Sequence, residues 1–434
     1  MQRFSENAIR KLFPINADDK LGSLLAFVRS FLLSLSPFPF SPLNLIAPSP
    51  LLIFLCSLAV LGCGHAPPGR GAGEIETTPQ RGAAQGQPGS LSFRVETVVG
   101  NLEVPWSIVW APDGRMFFTE RPGRVRVYQN GQLVSQPIFT VPDVAPSGEG
   151  GLMSIALHPQ FASNRLLYLS YVYRSENQYV RVVRYRESEN GFTDRKVILE
   201  NIPAAQYHAG CRLRFGPDGK LYITTGDGTR RDLAQQLSSL AGKTLRLNDD
   251  GSVPADNPFV AQKDARPEIW SYGHRNAQGL DFQPGTNLIF ETEHGPSGFD
   301  GPGGGDEVNI VEKGKNYGWP VIHHTATAPG MEAPLLEYTP ACAPASGVFY
   351  RGAAFPEFRG NYFFGCLQGE RIIRIVLDGR RVVTQENLLE KKYGRIRDVA
   401  EGPDGYLYFS TSNKDDRGEP APDDDRIIRL VPVK

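Results

Sequence analysis

A histidine and an aspartate bracket the stretch HAGCRLRFGPDGKLYITTGD, with His208 opening it and Asp227 closing it. An imidazole held by a carboxylate is the arrangement of a general base, because the acid fixes the tautomer and stabilises the imidazolium that forms. The tetrad Gly216-Pro217-Asp218-Gly219 would bring the two together: Pro presets φ at the second position and Gly relaxes the last. It lies between two runs that read as strands, so a hairpin is expected. A turn centred on the tetrad pairs residues whose numbers total 435, which sets His208 opposite Asp227, with Cβ atoms roughly 5 Å apart. A one-residue bulge after the turn would make Gly228 the partner instead.

Other segments carry groups that act on charge. Arg275 in GHRN is either a fork to backbone carbonyls or a guanidinium offered to substrate. The Gly-rich segment ETEHGPSGFDGPGGGDEVNIVEKGKNYGWP lets backbone carbonyls turn inward, and Asp300, Asp306 and Glu307 add hard oxygens of the kind Ca²⁺ takes. The spacing is not that of an EF-hand, and Gly-Asp loops are also ordinary surface turns. Arg395 and Arg397, two apart in YGRIRD, face one side of a strand, where they either clamp carboxylates or sit solvated on an outer edge.

These residues must be positioned by a chain of many short strands. A strand, a Pro-containing turn and a second hydrophobic strand recur six times, with the turn prolines at 112, 159, 217, 284, 356 and 403. Their separations of 47, 58, 67, 72 and 47 residues are each long enough for a four-stranded sheet with loops. Radial repetition of such sheets protects edges that would otherwise be exposed, so the expected fold is an all-β, six-bladed β-propeller of four-stranded antiparallel sheets over residues 91–434. A β-sandwich is the alternative, but its strands would not carry one turn motif at domain-wide intervals. In a propeller the innermost strands line a central channel and their entry loops gather on one face, where His208 and Arg275 would both point toward the axis.

The 434 residues carry a formal net charge of -1 and a pI near 6.7. Such a chain has no global field for nucleic acid or anionic lipid, which leaves a small molecule or another protein as partner. The 46 glycines and 35 prolines suit frequent turns and argue against an all-helical fold. Residues 1–63 read as an N-terminal extension with a signal segment: LLIFLCSLAVLG at 51–62 has the length of a signal h-region, and Val60-Leu61-Gly62-Cys63 resembles the lipobox of bacterial lipoproteins. A plain cleaved signal and an uncleaved anchor over Leu21–Leu35 are the alternatives; each exports the folded part to the periplasm or outer surface, with a lipid anchor at Cys63 in the first. Residues 64–90, rich in Gly, Pro, Gln and Ala, read as a flexible tether. Cys211, Cys342 and Cys366 remain, an odd number without CxxC spacing, so neither a zinc site nor a disulfide scaffold is indicated. Cys342 and Cys366 either pair or are buried thiols.

The blocks HAGCRLRFGPDGKLYITTGD, AGKTLRLNDDGSVPADNPF, GHRNAQGLDF, EHGP with GGGDEVNIVEKGKNYGWP, and GRIRDV occur in this order over roughly residues 91–434. Together they resemble the soluble quinoprotein sugar dehydrogenases, the glucose/sorbosone dehydrogenase family. The resemblance implies a six-bladed propeller with pyrroloquinoline quinone (PQQ) over the channel mouth and a Ca²⁺ ion bound to it. It makes His208 the general base, Asp227 its orienting acid and Arg275 the arginine at the quinone. It assigns the Ca²⁺-ligating carbonyls to Gly295 and Pro296, and the PQQ carboxylates to Arg395 and Arg397. The chain departs from the pattern at several positions. Gln368 stands where relatives have a cofactor-contacting lysine, leaving that positive contact missing or supplied by Arg371; Glu149 stands where they have glutamine, and Tyr207 where they have aspartate. The tryptophan that covers PQQ in the glucose enzymes aligns near Thr339, with Tyr338 beside it.

The chemistry so implied is oxidation of an aldose at its anomeric hydroxyl to the lactone, with the proton taken by His208 and the hydride by the quinone, followed by electron transfer to an external acceptor. Preorganised positive charge from Arg275 and Ca²⁺ would meet the charge developing on the quinone. Two other readings are a Ca²⁺-dependent lactonase, whose metal would need carboxylate and Asn ligands from several blades, and a noncatalytic binding propeller of the same superfamily, which the loss of the lysine at Gln368 keeps open.

Overall fold

Proline followed by aspartate and glycine folds the same way three times. At Ala111–Arg115, Gly216–Lys220 and Gly402–Tyr406 the first residue donates its N–H to the fifth and accepts one from the fourth, all at 2.9 Å. The fourth residue is in each case a glycine with positive φ: Gly114 at 87°, Gly219 at 71° and Gly405 at 74°. The aspartate between accepts the N–H two residues on, at 3.2, 3.1 and 3.1 Å. This is a type I turn closed by a left-handed glycine, which adds one residue to one arm of the hairpin.

The computed structural model describes residues 92–433 except residue 190. The expected extension at 1–63, with Cys63, and the tether at 64–90 lie outside the described residues. The described chain is nearly all β, in six antiparallel sheets arranged as the blades of a propeller. Their first strands are Pro105–Trp110, Leu152–Leu157, Leu213–Phe215, Ala277–Phe282, Pro344–Phe349 and Ile396–Glu401. Each of the six turn prolines joins one of these to the next strand of its sheet. Five sheets have four strands; the one beginning at Pro105 has a fifth, the two-residue Phe139–Thr140 paired with Arg124–Gln129. The ring is closed by strand pairing, because Phe93–Val99 from the start of the fold pairs with Ile427–Pro432 at its end.

A repeated contact ties neighbouring blades. A hydroxyl on the second strand of one blade donates to a carbonyl at or beside the first strand of the next: Thr119 to Met153, Ser170 to Cys211, Thr224 to Ala277, Thr292 to Ala345, and Ser410 to Pro105. Gly365 takes the corresponding place in the fifth blade, where a Cβ would lie 2.8 Å from Ile396 O. Between the blades the sheet faces are apolar, as with Phe117, Leu167 and Tyr171 or Phe290, Phe349 and Tyr362, all fully buried. Each such side chain contributes roughly 1.5–3 kcal/mol. Near the axis the packing is polar: Arg212 Nη1 donates to Ser107 Oγ at 3.0 Å and lies 3.3 Å from Asp398 Oδ1, while Asp398 Oδ2 accepts Ile108 N at 2.7 Å. One buried ion pair therefore holds three first strands together. Cys211, Cys342 and Cys366 are buried free thiols.

The hairpin register differs from the expected one. Leu213 pairs with Ile223 and Phe215 with Leu221, so paired numbers total 436. The extra residue is the left-handed Gly219, and it makes Gly228 the backbone partner of His208, with Gly228 N donating to His208 O at 3.1 Å.

Candidate active site

His208 lies in the loop before Leu213, with φ at 58° and 3% of its surface exposed. The loop can approach the next strand because Gly226 has no side chain: a Cβ there would fall 1.9 Å from His208 O. His208 Nδ1 is 2.7 Å from Asp227 Oδ1 despite the shifted register. That oxygen also accepts Thr229 N at 2.7 Å, and Oδ2 accepts Trp319 Nε1 at 2.9 Å. Thr229 N and Trp319 Nε1 can only donate, so Asp227 is the acceptor of this cluster; the imidazole bond is donated from Nδ1, and Nε2 is left as the basic atom. Trp319 lies inside the NYGWP block, and nothing local in the sequence marks it as a partner of Asp227.

Glu149 stands beside the base. Its Oε2 accepts His208 N at 3.2 Å and Asn276 Nδ2 at 3.3 Å, and its Oε1 accepts Arg417 Nη1 at 2.9 Å. Burial opposes its charge, but His294, Arg417 and His208 facing it outweigh that and hold the carboxyl at about 2. His294 itself is pushed down to about 3 by burial, so it is neutral at physiological pH, and its buried Nε2 has no partner. It precedes Gly295 and Pro296 in EHGP, a block in which the family resemblance points only to those two carbonyls.

Arg275 is buried and fully engaged: Nε donates to Asp300 Oδ2 at 2.8 Å, Nη1 to His294 O at 3.0 Å and Nη2 to Ser297 Oγ at 2.9 Å. Its side chain clamps the Gly-rich loop, and its carbonyl accepts Asp227 N at 2.8 Å. The three acids read as hard oxygens do not converge. Asp300 is taken by Arg275, Asp306 accepts the N–H groups of Gly295, Cys342 and Ala343, and Glu307 accepts Asn309 Nδ2. These bonds support the loop rather than gather ligands. The loop does bring carbonyls close, since a Cβ on Gly295 would lie 2.4 Å from Gly304 O and 2.2 Å from Gly305 O, and Pro296 O accepts Gly304 N. Among the described residues, the side chains grouped tightly enough for a metal are instead His274, Glu291 and Glu293, a buried set not anticipated from sequence.

Arg397 is buried on the first strand Ile396–Glu401 and Arg395 is buried immediately before it, and neither is solvated at an edge. Both reach Asp415: Arg395 Nη2 at 2.8 Å and Arg397 Nη2 at 3.6 Å from Oδ2. Arg397 keeps an Nε without a partner, and burial pushes its pKa down to about 10 against the pull of Asp415. A cavity of about 160 Å³ meets Arg397, Glu149, His294, Tyr207 and Arg417. A larger polar cavity of about 490 Å³ lies beside it, with Gln206 lining both. Four guanidiniums, those of buried Arg395 and Arg397, partly buried Arg121 and exposed Arg417, stand against the carboxylates of Glu149, Asp415 and the exposed Asp416. The small cavity is therefore suited to an anion. Gln368 is exposed and does not line it; Arg371 lies 3.5 Å from Glu390. Tyr338 donates to Gln385 and Thr339 accepts Gly305 N, so neither is free to cover the site. Phe299, 66% exposed, stacks on His208 at 6.0 Å instead.

The glucose/sorbosone dehydrogenase pattern matches residues 102–420. An aldose sugar dehydrogenase of Escherichia coli is 36% identical over 340 residues, covering 74% of this chain and 90% of that protein. The PQQ-bound structure of an aldose sugar dehydrogenase from Streptomyces coelicolor superposes with a TM-score of 0.69 at 32% identity, covering 79% of this chain and 98% of that one. A hedgehog-interacting protein of Homo sapiens, named for a partner rather than a reaction, is 29% identical over 317 residues, covering 64% of this chain and 43% of its own length.

Proposed function

The chain belongs to the glucose/sorbosone dehydrogenase family, and from that premise we propose that it is a PQQ-dependent dehydrogenase that oxidises aldoses at the anomeric hydroxyl, with His208 as general base. The observation that carries this reading is the His208–Asp227 pair, whose Nε2 makes no hydrogen bond among the described residues, while its neighbours Tyr207 and Glu149 line a cavity that also meets Arg397 with its unpartnered Nε. Unpartnered Arg397 Nε and His294 Nε2 fit a ligand that brings negative charge and acceptors, as the PQQ tricarboxylate does. When bound, PQQ supplies the two-electron acceptor that no side chain here provides. Arg397, with Arg395 behind the shared Asp415, would hold its carboxylates, and the carbonyls of Gly295 and Pro296 would ligate its Ca²⁺.

His208 Nε2 takes the hydroxyl proton of the sugar as the C1–H bond breaks with its electron pair, leaving the lactone. Asp227 keeps the ring in the productive tautomer and balances the imidazolium; such a base is worth roughly 10²–10⁴-fold in rate. Glu149 holds the His208 backbone in place through Oε2, and Arg275 acts through the Gly-rich loop that it clamps. Electrons then leave to an external acceptor.

The reading extends to export of the folded part, with lipidation at Cys63, which mass spectrometry of the mature protein checks. The test of the activity is aldose-dependent dye reduction by protein reconstituted with PQQ and Ca²⁺. Absence of reduction across a sugar panel, with no PQQ retained after gel filtration, would leave a binding propeller as the better description.

A further inference from the structure

Folding takes the aromatic rings of this chain out of water, with two exceptions at one place. Among the described residues the exposed aromatics are Tyr207 and Phe299, and both border the base: Tyr207 precedes His208 in the chain, and the Phe299 ring stacks on the His208 ring at 6.0 Å with 24° between the planes. Single apolar side chains at a surface are ordinary. Two exposed rings from different loops, both beside the one histidine paired with Asp227, mark a recognition surface. The Tyr207 ring already carries the Arg417 guanidinium, 5.0 Å from its centroid. Phe299 has no partner of that kind among the described residues.

The turn that carries Phe299 is pinned on both sides. Gly298 N donates to Gly301 O at 3.1 Å, with Gly298 at a φ of 89°, and Ser297 N donates to Asp300 Oδ1 at 2.9 Å. Ser297 Oγ and Asp300 Oδ2 both accept from the buried Arg275, and Asp300 O accepts Arg231 Nη1 at 3.2 Å. A buried guanidinium thus holds the backbone that presents an apolar ring to solvent. A ring whose turn is fixed before its ligand arrives loses little freedom on binding.

We propose that Phe299 is the platform on which the pyranose ring of the substrate stacks. This inference rests on the aldose reading above and deepens it by assigning a side chain that recognises the sugar ring itself. One face of an aldopyranose presents a row of C–H groups that pack on an aromatic ring, while its hydroxyls stay free for polar partners. The stack on His208 sets this platform beside the imidazole that takes the proton, so a sugar held there is oriented for the reaction.

The test compares wild type, Phe299→Ala, Phe299→Leu and Phe299→Trp, each checked for folding by circular dichroism. Steady-state kinetics with glucose and xylose are measured after reconstitution with PQQ and Ca²⁺, PQQ is titrated without sugar, and saturation-transfer NMR of the same sugars is recorded on the same samples without dye. Phe299→Ala is expected to raise KM by about tenfold or more with kcat within a few-fold of wild type, to keep PQQ affinity, and to lose the sugar NMR signal. Phe299→Leu, apolar but without a ring, should stay impaired, and Phe299→Trp should recover. Unaltered KM in Phe299→Ala, or wild-type KM in Phe299→Leu, overturns the proposal. So does a loss of PQQ affinity equal to the loss in kcat/KM, which would make the ring a cover for the cofactor. A wild type that turns over no sugar yet gives an NMR signal that Phe299→Ala loses overturns the dehydrogenase reading and supports this contact; a wild type with neither turnover nor signal overturns both.

Discussion

His208 Nδ1 and Asp227 Oδ1 lie 2.7 Å apart, and the same carboxylate accepts Thr229 N and Trp319 Nε1. Three donors fix the acid, so the acid fixes the ring. Asp227→Asn keeps the shape but offers Nδ1 a group that can also donate, which lets the ring turn to the wrong tautomer. Steady-state kinetics should show kcat reduced by about 10²–10⁴-fold with PQQ affinity close to wild type. A kcat within a few-fold of wild type would show that the pair does not orient the base.

Arg397 lines the small cavity and carries a buried, unpartnered Nε. Its replacement by glutamine should weaken PQQ retention by about 10–100-fold, measured by cofactor titration, while kcat at saturating PQQ changes much less. Equal losses in both would place Arg397 at the reacting atoms rather than at the carboxylates.

Gly226 stands where any side chain would strike the carbonyl of the base. A Cβ there falls 1.9 Å from His208 O, so Gly226→Ala must push the loop off its position. The expected result is a loss of about 1–3 kcal/mol of stability and a fall in kcat of about 10²-fold from the displaced imidazole. Thermal unfolding and kinetics together check it; unaltered kcat would mean that the loop position is not critical.

Glu307 is partly buried on the strand Asp306–Val311, paired with Glu293, with Glu291 and His274 close by. Burial first, and then the like charge of Glu293, raise its pKa, while Asn309 and His274 oppose the shift. The folded state therefore holds a proton that the unfolded chain releases above about pH 4.3, and this contribution to stability is lost as pH rises through the raised value. Glu307→Gln keeps the shape without the ionisation, so its Tm relative to wild type should increase as pH is taken from 6 to 9. A difference that stays constant, or falls, contradicts the assignment.

What could be read in the sequence was local. The Pro-Asp-Gly turns follow from backbone preferences within four residues, and the six Pro-containing turns, three of them of this type, carried the blade count. The His208–Asp227 pairing was read correctly as a contact but through the wrong register, since Gly219 in the left-handed region adds a residue that symmetric counting omits. What was missed depends on distant chain. Asp415 and Arg417 come from a loop without a motif; the pairing of the last blade's strands sets Asp415 against Arg395, and only the ring sets Arg417 against Glu149. Trp319 meets Asp227 across 92 positions. Glu291 and Glu293, two apart on a buried strand, were a usable sign of the His274 cluster, since acids facing inward at that spacing need a cationic partner.

The central claim, that His208 is the base of a PQQ-dependent aldose dehydrogenase, is tested most directly by comparing wild type and His208→Ala after reconstitution with PQQ and Ca²⁺. Bound PQQ and aldose-driven dye reduction are measured on the same samples. The expected result is full cofactor occupancy in both proteins, turnover in the wild type, and loss of at least about 10²-fold in the variant. Near-normal turnover by His208→Ala would contradict the account.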